Sequence, residues 1–589
     1  MQTERELSGY PSIDLPQSRG SKLFERKPFV PNVDIVTILK LLSRKTRNNP
    51  AIDCDNLKAT YQELIDDSHT LYLAFKRIGI KKGDIITISL PSNYQAIVSF
   101  LALNELGAVT TFIDTYSSEE DIYHYLDMYN SPVFICFSDL KADCTEILKK
   151  SNVKHIVKLS ENLVDSRDFC MVERVSDEII DFHSLGLYAK EQKDTFHLPN
   201  GNIDSMILYT SGSTGQPKAV VLTNKNILAA QIYAGKTSHT ENIHATKTMT
   251  CVPLRYPYGM VTSLLTSLLW GKEAIMTPRW DSDTVGYYYG KKPNIVFGSP
   301  AVLDVTMRFL PDKMDLSQIS HFISGGDFMT EKHAEIGYDF FKMHNCTDVE
   351  IGNGCGNAET VSIGSTPVGV PLKQSTAGKV LVGSIPLIID KTLDDKNELS
   401  GAKGIIKEKR YYEEGELCIS GKHVFKEYFD EPDKTRIAKF KYHGKEFFRT
   451  GTIGYIDEDG YFTPTGRKSR FYIRSTGHKV YMDNVQRLIS CIPGIADCAV
   501  VKVVDDDELY INWAFVTLQK SGKRIQNLEE KICYYCSNGI QTTNGVETLK
   551  EYEIPRKVIV VDSLPTVPGT EKIDYKRLEE QIEEGSWSA

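Results

Sequence analysis

From Asp84 to Phe137 the chain alternates apolar runs of strand length with runs of helical length, and few folds tolerate that order. "DIITISLP" (Asp84 to Pro91) is a strand run, and "NYQAIVSFLALNELG" is helical up to its glycine stop. "VTTFID" (Val109 to Asp114) is a second apolar strand, "SEEDIYHYLDMY" a helix and "PVFICF" a third strand. Upstream, "DIVTILKLLSRKT" has helical spacing. Strands separated by helices of this length cannot pair as hairpins. They predict parallel sheets with helices on both faces, an α/β fold.

At 589 residues the chain is too long for one hydrophobic core, so at least two domains are expected. Near Gly401 the texture changes: "GELCIS", "EYFDEPDKT" and "DGYFTPTG" are short strands and turns. After Gly466 a smaller α+β segment follows, in which "IADCAVVKVV" and "LYINWAFVTL" flank "DDDE" (Asp505 to Glu508) as a hairpin, its acidic turn read as solvated. The boundary is placed at Arg467 and Lys468. The reading divides the chain into a loose polar arm (1–28), a large domain (29–466) and a small domain (467–589).

With 41% hydrophobic and 25% charged residues the composition is that of a globular protein. A net charge of −9 argues against nucleic acid as a partner, because phosphate backbones select a basic face. The start has no apolar stretch of signal-peptide type. The most apolar window, Met260 to Gly271, is shorter than the roughly 20 residues a bilayer span needs, so it is read as a buried core helix. A cytoplasmic location without a membrane span is expected. The twelve cysteines form no framework, and the close pair Cys533 and Cys536 is read as packing.

"YTSGSTGQPK" (Tyr209 to Lys218) gathers hydroxyls, glycines and a lysine. A Walker loop places its lysine directly after the second glycine; here Lys218 comes three residues after Gly215, so this is not that loop. Flexible glycines bring backbone N–H groups to an oxyanion, and hydroxyls donate to it. The same composition also suits a plain hairpin turn.

Extended to "LYTSGSTGQPKAVVLTN", the stretch resembles the phosphate loop of the adenylate-forming superfamily, which includes acyl-CoA synthetases, luciferases and nonribosomal-peptide adenylation domains. "VPLRYPYG" (Val252 to Gly259), "ISGGD" (Ile323 to Asp327), "NGCGNAET" (Asn353 to Thr360), "FRTGTIGYIDEDGYFTPTGR" and "LPTVPGTEKIDYKRL" (Leu564 to Leu578) resemble further motifs of that family, in its order. The resemblance runs from about residue 35 to the end. It implies a large domain of mostly parallel α/β sheets with a small β-barrel-like part, and a small mobile α+β lid. It also implies ATP-dependent activation of a small carboxylic acid through an acyl-adenylate, with thioester formation on coenzyme A. Loading of a separate acyl- or peptidyl-carrier protein through its phosphopantetheine is the alternative. A nucleotide-binding member without ligase activity is a third.

By the same resemblance, Thr210, Ser211, Gly212, Ser213, Thr214, Gly215 and Lys218 would hold the phosphates. Glu359 and Thr214 would hold Mg²⁺, and Lys572 would bridge carboxylate and α-phosphate; Lys572, Glu359 and Lys218 are thus the catalytic set. Gly325, Gly326, Asp327, Cys355, Gly356, Asn357, Thr452 and Arg467 would take adenine and ribose. Tyr256, Tyr258, Gly259 and Gly325 would line the acid pocket, and Ser475, Gly477 and His478 the thiol tunnel. The lid would swing about a hinge that follows the pair Gly466 and Arg467, at Lys468 and Ser469.

The chain departs from the family pattern in several places. Thr452 stands where an aspartate usually binds the ribose, Cys355 where an aromatic is typical, and Ala358 where a hydroxyl residue is. Ala219 replaces a glycine after the loop lysine, and Ser469 an acidic or lysine residue at the hinge. A threonine makes one neutral ribose contact rather than a charged bidentate one, so weaker ATP binding is expected. "RYPYG" carries no carboxylate to pair with an ammonium, which disfavours a free α-amino acid.

Overall fold

A computed structural model describes residues 7–15, 28–140, 142–172, 178–190, 198–210, 218–238, 245–326, 329, 331–362, 364–390, 406–467, 470–473, 479–504, 510–519, 528–542, 545–567 and 573–584. Among these, two large sheets dominate. The first runs, in spatial order, through Glu427–Tyr428, Ala219–Thr223, Asp204–Tyr209, Val109–Phe112, Ile85–Ser89, Val133–Phe137, His155–Leu159 and Ile179–Asp181. From Asp204–Tyr209 onward all neighbours are parallel. Each parallel crossover in the stretch from Asp84 to Phe137 is the helix read from its period: Tyr94–Leu106 and Glu119–Tyr129. The first is buried nearly all round, as its lack of a polar face requires, and Gly107 ends it at φ 79°, where a side chain would be strained.

The second sheet has the order Glu350–Asn353, His321–Ser324, Ile295–Gly298, Lys247–Thr250, Glu273–Met276, Pro50–Cys54 and Leu57–Thr60. It too is parallel except for its last pair, a hairpin. The part expected to be barrel-like is a five-stranded antiparallel sheet of Ile385–Ile389, Gly415–Ser420, Lys445–Ile456, Lys439–Tyr442 and Phe462–Arg467. In the small domain Ile495–Val504 and Tyr510–Leu518 form the expected hairpin, extended by a parallel strand at Lys557–Val560. Its acidic turn lies outside the described residues. Cys536 is buried in the core of this domain, on the helix Leu528–Asn538, and Cys533 is half-buried on the same helix.

Within Met260–Gly271 the chain is a mostly buried helix as far as Leu269, wound as a π-helix over Tyr258–Leu265 before an α turn at Thr266–Leu269. No helix among the described residues is long and apolar enough to cross a membrane.

The loose arm is corrected in one part. Pro11–Asp14 form a helical turn, and Leu7 and Leu15 pack into the core of the five-stranded sheet. The Tyr411 N–H donates to Gly9 O at 3.1 Å, Ser12 donates to Glu408, and the Arg410 guanidinium lies 5.5 Å from the Tyr10 ring centre. Two leucines eight residues apart in a polar context gave no periodic signal, yet partial burial of both against the sheet contributes to seating the segment.

Candidate active site

In both large sheets the residues that follow the carboxyl ends of the parallel strands converge on one cleft of about 2870 Å³. Tyr209 and Thr210 come from the end of Asp204–Tyr209, Cys251–Tyr258 follow Lys247–Thr250, Gly325 and Gly326 follow His321–Ser324, and Asn353–Glu359 follow Glu350–Asn353. Parallel strands all point their free carboxyl ends the same way, and crevices there are the usual ligand sites of α/β sheets.

Of the residues singled out from sequence, Thr210, Lys218, Tyr256, Tyr258, Gly325, Gly326, Cys355, Gly356, Asn357, Glu359, Thr452 and Arg467 all line this cleft. Gly259 does not, which corrects its assignment to the acid pocket. It is buried beneath the chain, where an added Cβ would lie 2.3 Å from Pro253 O and 2.4 Å from Val252 O. Its role is close backbone packing at the start of the π-helix. Ser211, Gly212, Ser213, Thr214, Gly215, Asp327, Ser475, Gly477, His478 and Lys572 lie outside the described residues.

The mouth of the glycine-rich loop is clasped at both ends. Thr210 N donates to Lys218 O at 3.0 Å, and Lys218 N donates to Thr210 Oγ1 at 3.0 Å. Lys218 is thereby fixed at the edge of the sheet, its ammonium 5.0 Å from the centre of the Tyr428 ring. The Tyr428 hydroxyl donates to Glu359 Oε1 at 2.6 Å.

Glu359 sits on a short 3₁₀ turn, Ala358–Thr360. Asn357 accepts from the Thr360 hydroxyl at 2.8 Å and donates to Thr450 O at 3.3 Å, tying the turn to the neighbouring strand. Val361 and Ser362 then leave the turn at φ 56° and 60°. A β-branched residue in the left-handed region is strained, and such strain concentrates at functional sites. Glu359 as a residue is only 6% exposed. Burial raises its pKa above the ordinary glutamate value, opposed by the Tyr428 hydrogen bond and the positive charges of Lys218 and Arg467.

Across the cleft, Thr452 and Arg467 are direct cross-strand partners. Burial raises the pKa of the nearby Cys355 thiol, opposed by the Arg467 charge and the Thr452 hydroxyl. Thus three of the positions expected to meet the nucleoside lie near one another. Tyr258 donates to Ile323 O at 2.6 Å, and its ring lies over Gly325, where a Cβ would come within 2.9 Å. The Arg255 guanidinium stacks 4.7 Å from the Tyr256 ring and pairs with Asp114 at 3.1 Å.

The small domain closes one side. The Arg467 N–H donates to Asp483 Oδ2 at 2.9 Å. Arg470 donates to Asp483 and to Val500 O, and stacks 3.5 Å from the Tyr575 ring, while the Tyr575 hydroxyl donates to Gln486 at 3.0 Å. Tyr428, Arg470 and Asp483 were given no role in the sequence reading. Tyr428 stood inside a quoted motif, but no spacing rule links it to Glu359. Arg470 follows the hinge pair closely, and that proximity was the available signal.

A family model described as AMP-binding enzyme matches residues 41–429, and one described as AMP-binding enzyme C-terminal domain matches 485–569. The long-chain-fatty-acid–CoA ligase FadD13 of Mycobacterium tuberculosis is 24% identical over 531 residues, 89% of this chain and 93% of that protein. A 2-succinylbenzoate–CoA ligase of Bacillus cereus is 23% identical over 544 residues, 92% and 97% of the two chains. The ATP-bound crystal structure of MatB from Rhodopseudomonas palustris superposes with a TM-score of 0.75 at 20% identity, covering 94% of this chain and 99% of that one. The chain belongs to the AMP-binding enzyme family, in both its large domain and its C-terminal domain.

Proposed function

We propose that the protein activates a carboxylic acid with ATP, forming an acyl-adenylate and pyrophosphate, and then transfers the acyl group to coenzyme A. The observation that carries this reading is the convergence of Lys218, Glu359 and Arg467 in one cleft at the carboxyl ends of both sheets. Two anions must meet there, so fixed positive charge has to offset their repulsion. Lys218, held by its backbone clasp, faces the triphosphate. Arg467 and the Thr452 hydroxyl take the ribose side. Lys572 is assigned to the bridge between carboxylate and α-phosphate.

A carboxylate oxygen attacks the α-phosphorus, and the bond to the pyrophosphate oxygen breaks. In the second step a thiol sulfur attacks the acyl carbon, and the bond to AMP breaks. The small domain moves between the steps, with Ser475, Gly477 and His478 assigned to the thiol passage.

Mg²⁺ fits the residues present. Glu359 offers a buried carboxylate with no ion pair among the described residues, and Mg²⁺ is held by one or two carboxylates plus substrate phosphates and waters. Glu359 and Thr214 would hold it, and when bound it would supply charge neutralisation at the triphosphate. The relatives named as CoA ligases support coenzyme A as the acceptor.

The test is pyrophosphate release from Mg-ATP across a panel of carboxylic acids, with Lys572→Ala as control. Lysine-dependent release with one class of acid is expected. Silence across the panel while ATP still binds would leave a nucleotide-binding protein without ligase activity. Supplying coenzyme A or a holo-carrier protein as competing acceptors separates the two thioester routes.

A further inference from the structure

The expected hinge, Lys468 and Ser469, lies between two arginines that share one carboxylate. Arg467 ends the strand Phe462–Arg467 of the large domain, and its N–H donates to Asp483 Oδ2 at 2.9 Å. Arg470 stands at the start of the small domain, and its guanidinium donates to Asp483 Oδ1. Asp483 is partly buried, in the first turn of the helix Met482–Ser490. One bond of this carboxylate thus crosses from the small domain to the large one, and the other stays inside the small domain.

Arg470 fixes the direction of that carboxylate. Its fork also reaches Val500 O at 2.6 Å and Gln486 Oε1 at 3.3 Å, and its plane lies 3.5 Å from the Tyr575 ring centre. The Tyr575 hydroxyl donates to the same Gln486 oxygen at 3.0 Å. A planar guanidinium serves several acceptors and a ring face together, which a lysine does not. The strand Ile495–Val504 and the helix Tyr575–Glu583 are therefore tied to Asp483 through one side chain. In this arrangement Ile573, Asp574, Tyr575 and Lys576, which follow Lys572 in the chain, line the cleft.

A turn of the small domain about the hinge carries Arg470, Gln486, Val500 and Tyr575 along with Asp483. It leaves Arg467 behind, because Arg467 is paired with Thr452 in the large domain's sheet. The bond between Asp483 and the Arg467 N–H must break in that turn. Resting on the acid-activation reading, we propose that Asp483 is a positioning residue that latches the small domain in the arrangement that forms the adenylate. Arg470 keeps the latch aligned, and release of the Arg467 N–H frees the domain for the thioester step.

Asp483→Ala removes the latch, while Asp483→Asn keeps one oxygen to accept from Arg467. The first readout needs no acid: trypsin acts on the ligand-free full chain, and cutting after Arg467 and Lys468 is followed by mass spectrometry. Asp483→Ala is expected to be cut there about 10-fold faster than the wild type, and Asp483→Asn by a smaller factor. The second readout separates the steps: pyrophosphate release from Mg-ATP with an acid the enzyme accepts, and thioester formation from supplied acyl-adenylate and coenzyme A. Asp483→Ala should lose about 10-fold in the first step and lose nothing in the second, with Asp483→Asn between it and the wild type. Hinge cutting at the wild-type rate would overturn the inference. So would equal losses in both steps with a lower melting temperature, since a carboxylate in the first turn of a helix also stabilises that helix. Faster cutting in a protein silent toward every acid would remove the activation reading, and with it the latch's assignment to the adenylate step.

Discussion

Tyr428 and Glu359, 69 residues apart in sequence, are joined by a 2.6 Å hydrogen bond, and Lys218 rests over the same tyrosine ring. The phenol is therefore a hub between the metal-site candidate and the phosphate-loop lysine. Tyr428→Phe keeps the ring under Lys218 but withdraws the proton that favours the Glu359 carboxylate. The acidic limb of the kcat/KM profile for ATP should move to higher pH, with activity at neutral pH about 10-fold lower. An acid limb that stays in place would separate Glu359 from that titration.

Glu359→Gln carries a stability prediction of definite sign. Burial raises the folded pKa of Glu359 above its unfolded value. The folded state then binds the proton more tightly, so the cost of the ionised form is present above the folded pKa and vanishes below the unfolded one. The ligand-free variant should melt about 1–3 °C above the wild type at pH 8, with a smaller gain at pH 5, while losing activity. Scanning calorimetry at the two pH values reads this directly.

Thr452→Asp places a carboxylate opposite Arg467, its cross-strand partner, and beside the Cys355 thiol. A carboxylate accepts both ribose hydroxyls with charge assistance, where threonine offers one neutral contact. ATP affinity by calorimetric titration should tighten about 5-fold. Unchanged affinity would mean that the ribose is held by other groups.

Gly259→Ala tests the reassignment of that residue from acid pocket to packing. Its Cβ would strike the carbonyl oxygens of Val252 and Pro253, which are backbone and have no rotamer to yield. The variant should melt about 5 °C or more below the wild type. If it were a mere pocket lining, substrate affinity would change and the melting temperature would not.

Much of the fold was legible in the chain. The strands Ile85–Ser89, Val109–Phe112 and Val133–Phe137 and their connecting helices follow from apolar runs of fixed length, because a parallel neighbour demands a crossover. The family motifs, recognised by order and spacing, placed a dozen residues on the lining of one cleft, most of them just past the carboxyl end of a strand. Gly259 was misplaced because a glycine in a motif reads the same whether it faces ligand or backbone. Residues 7–15 were read as loose because local composition carries no information about a distant sheet against which two leucines become partly buried.

What the sequence by itself determined is local: where strands and helices lie, where Gly107 stops a helix, and which stretches carry the family's motifs. These follow from backbone sterics and from side-chain period, which act over a few residues. Only the tertiary structure decided that Tyr428 meets Glu359 and that Thr452 faces Arg467. Those contacts depend on strand order, register and the volumes left between packed side chains. No short-range pattern in the chain encodes them one residue at a time.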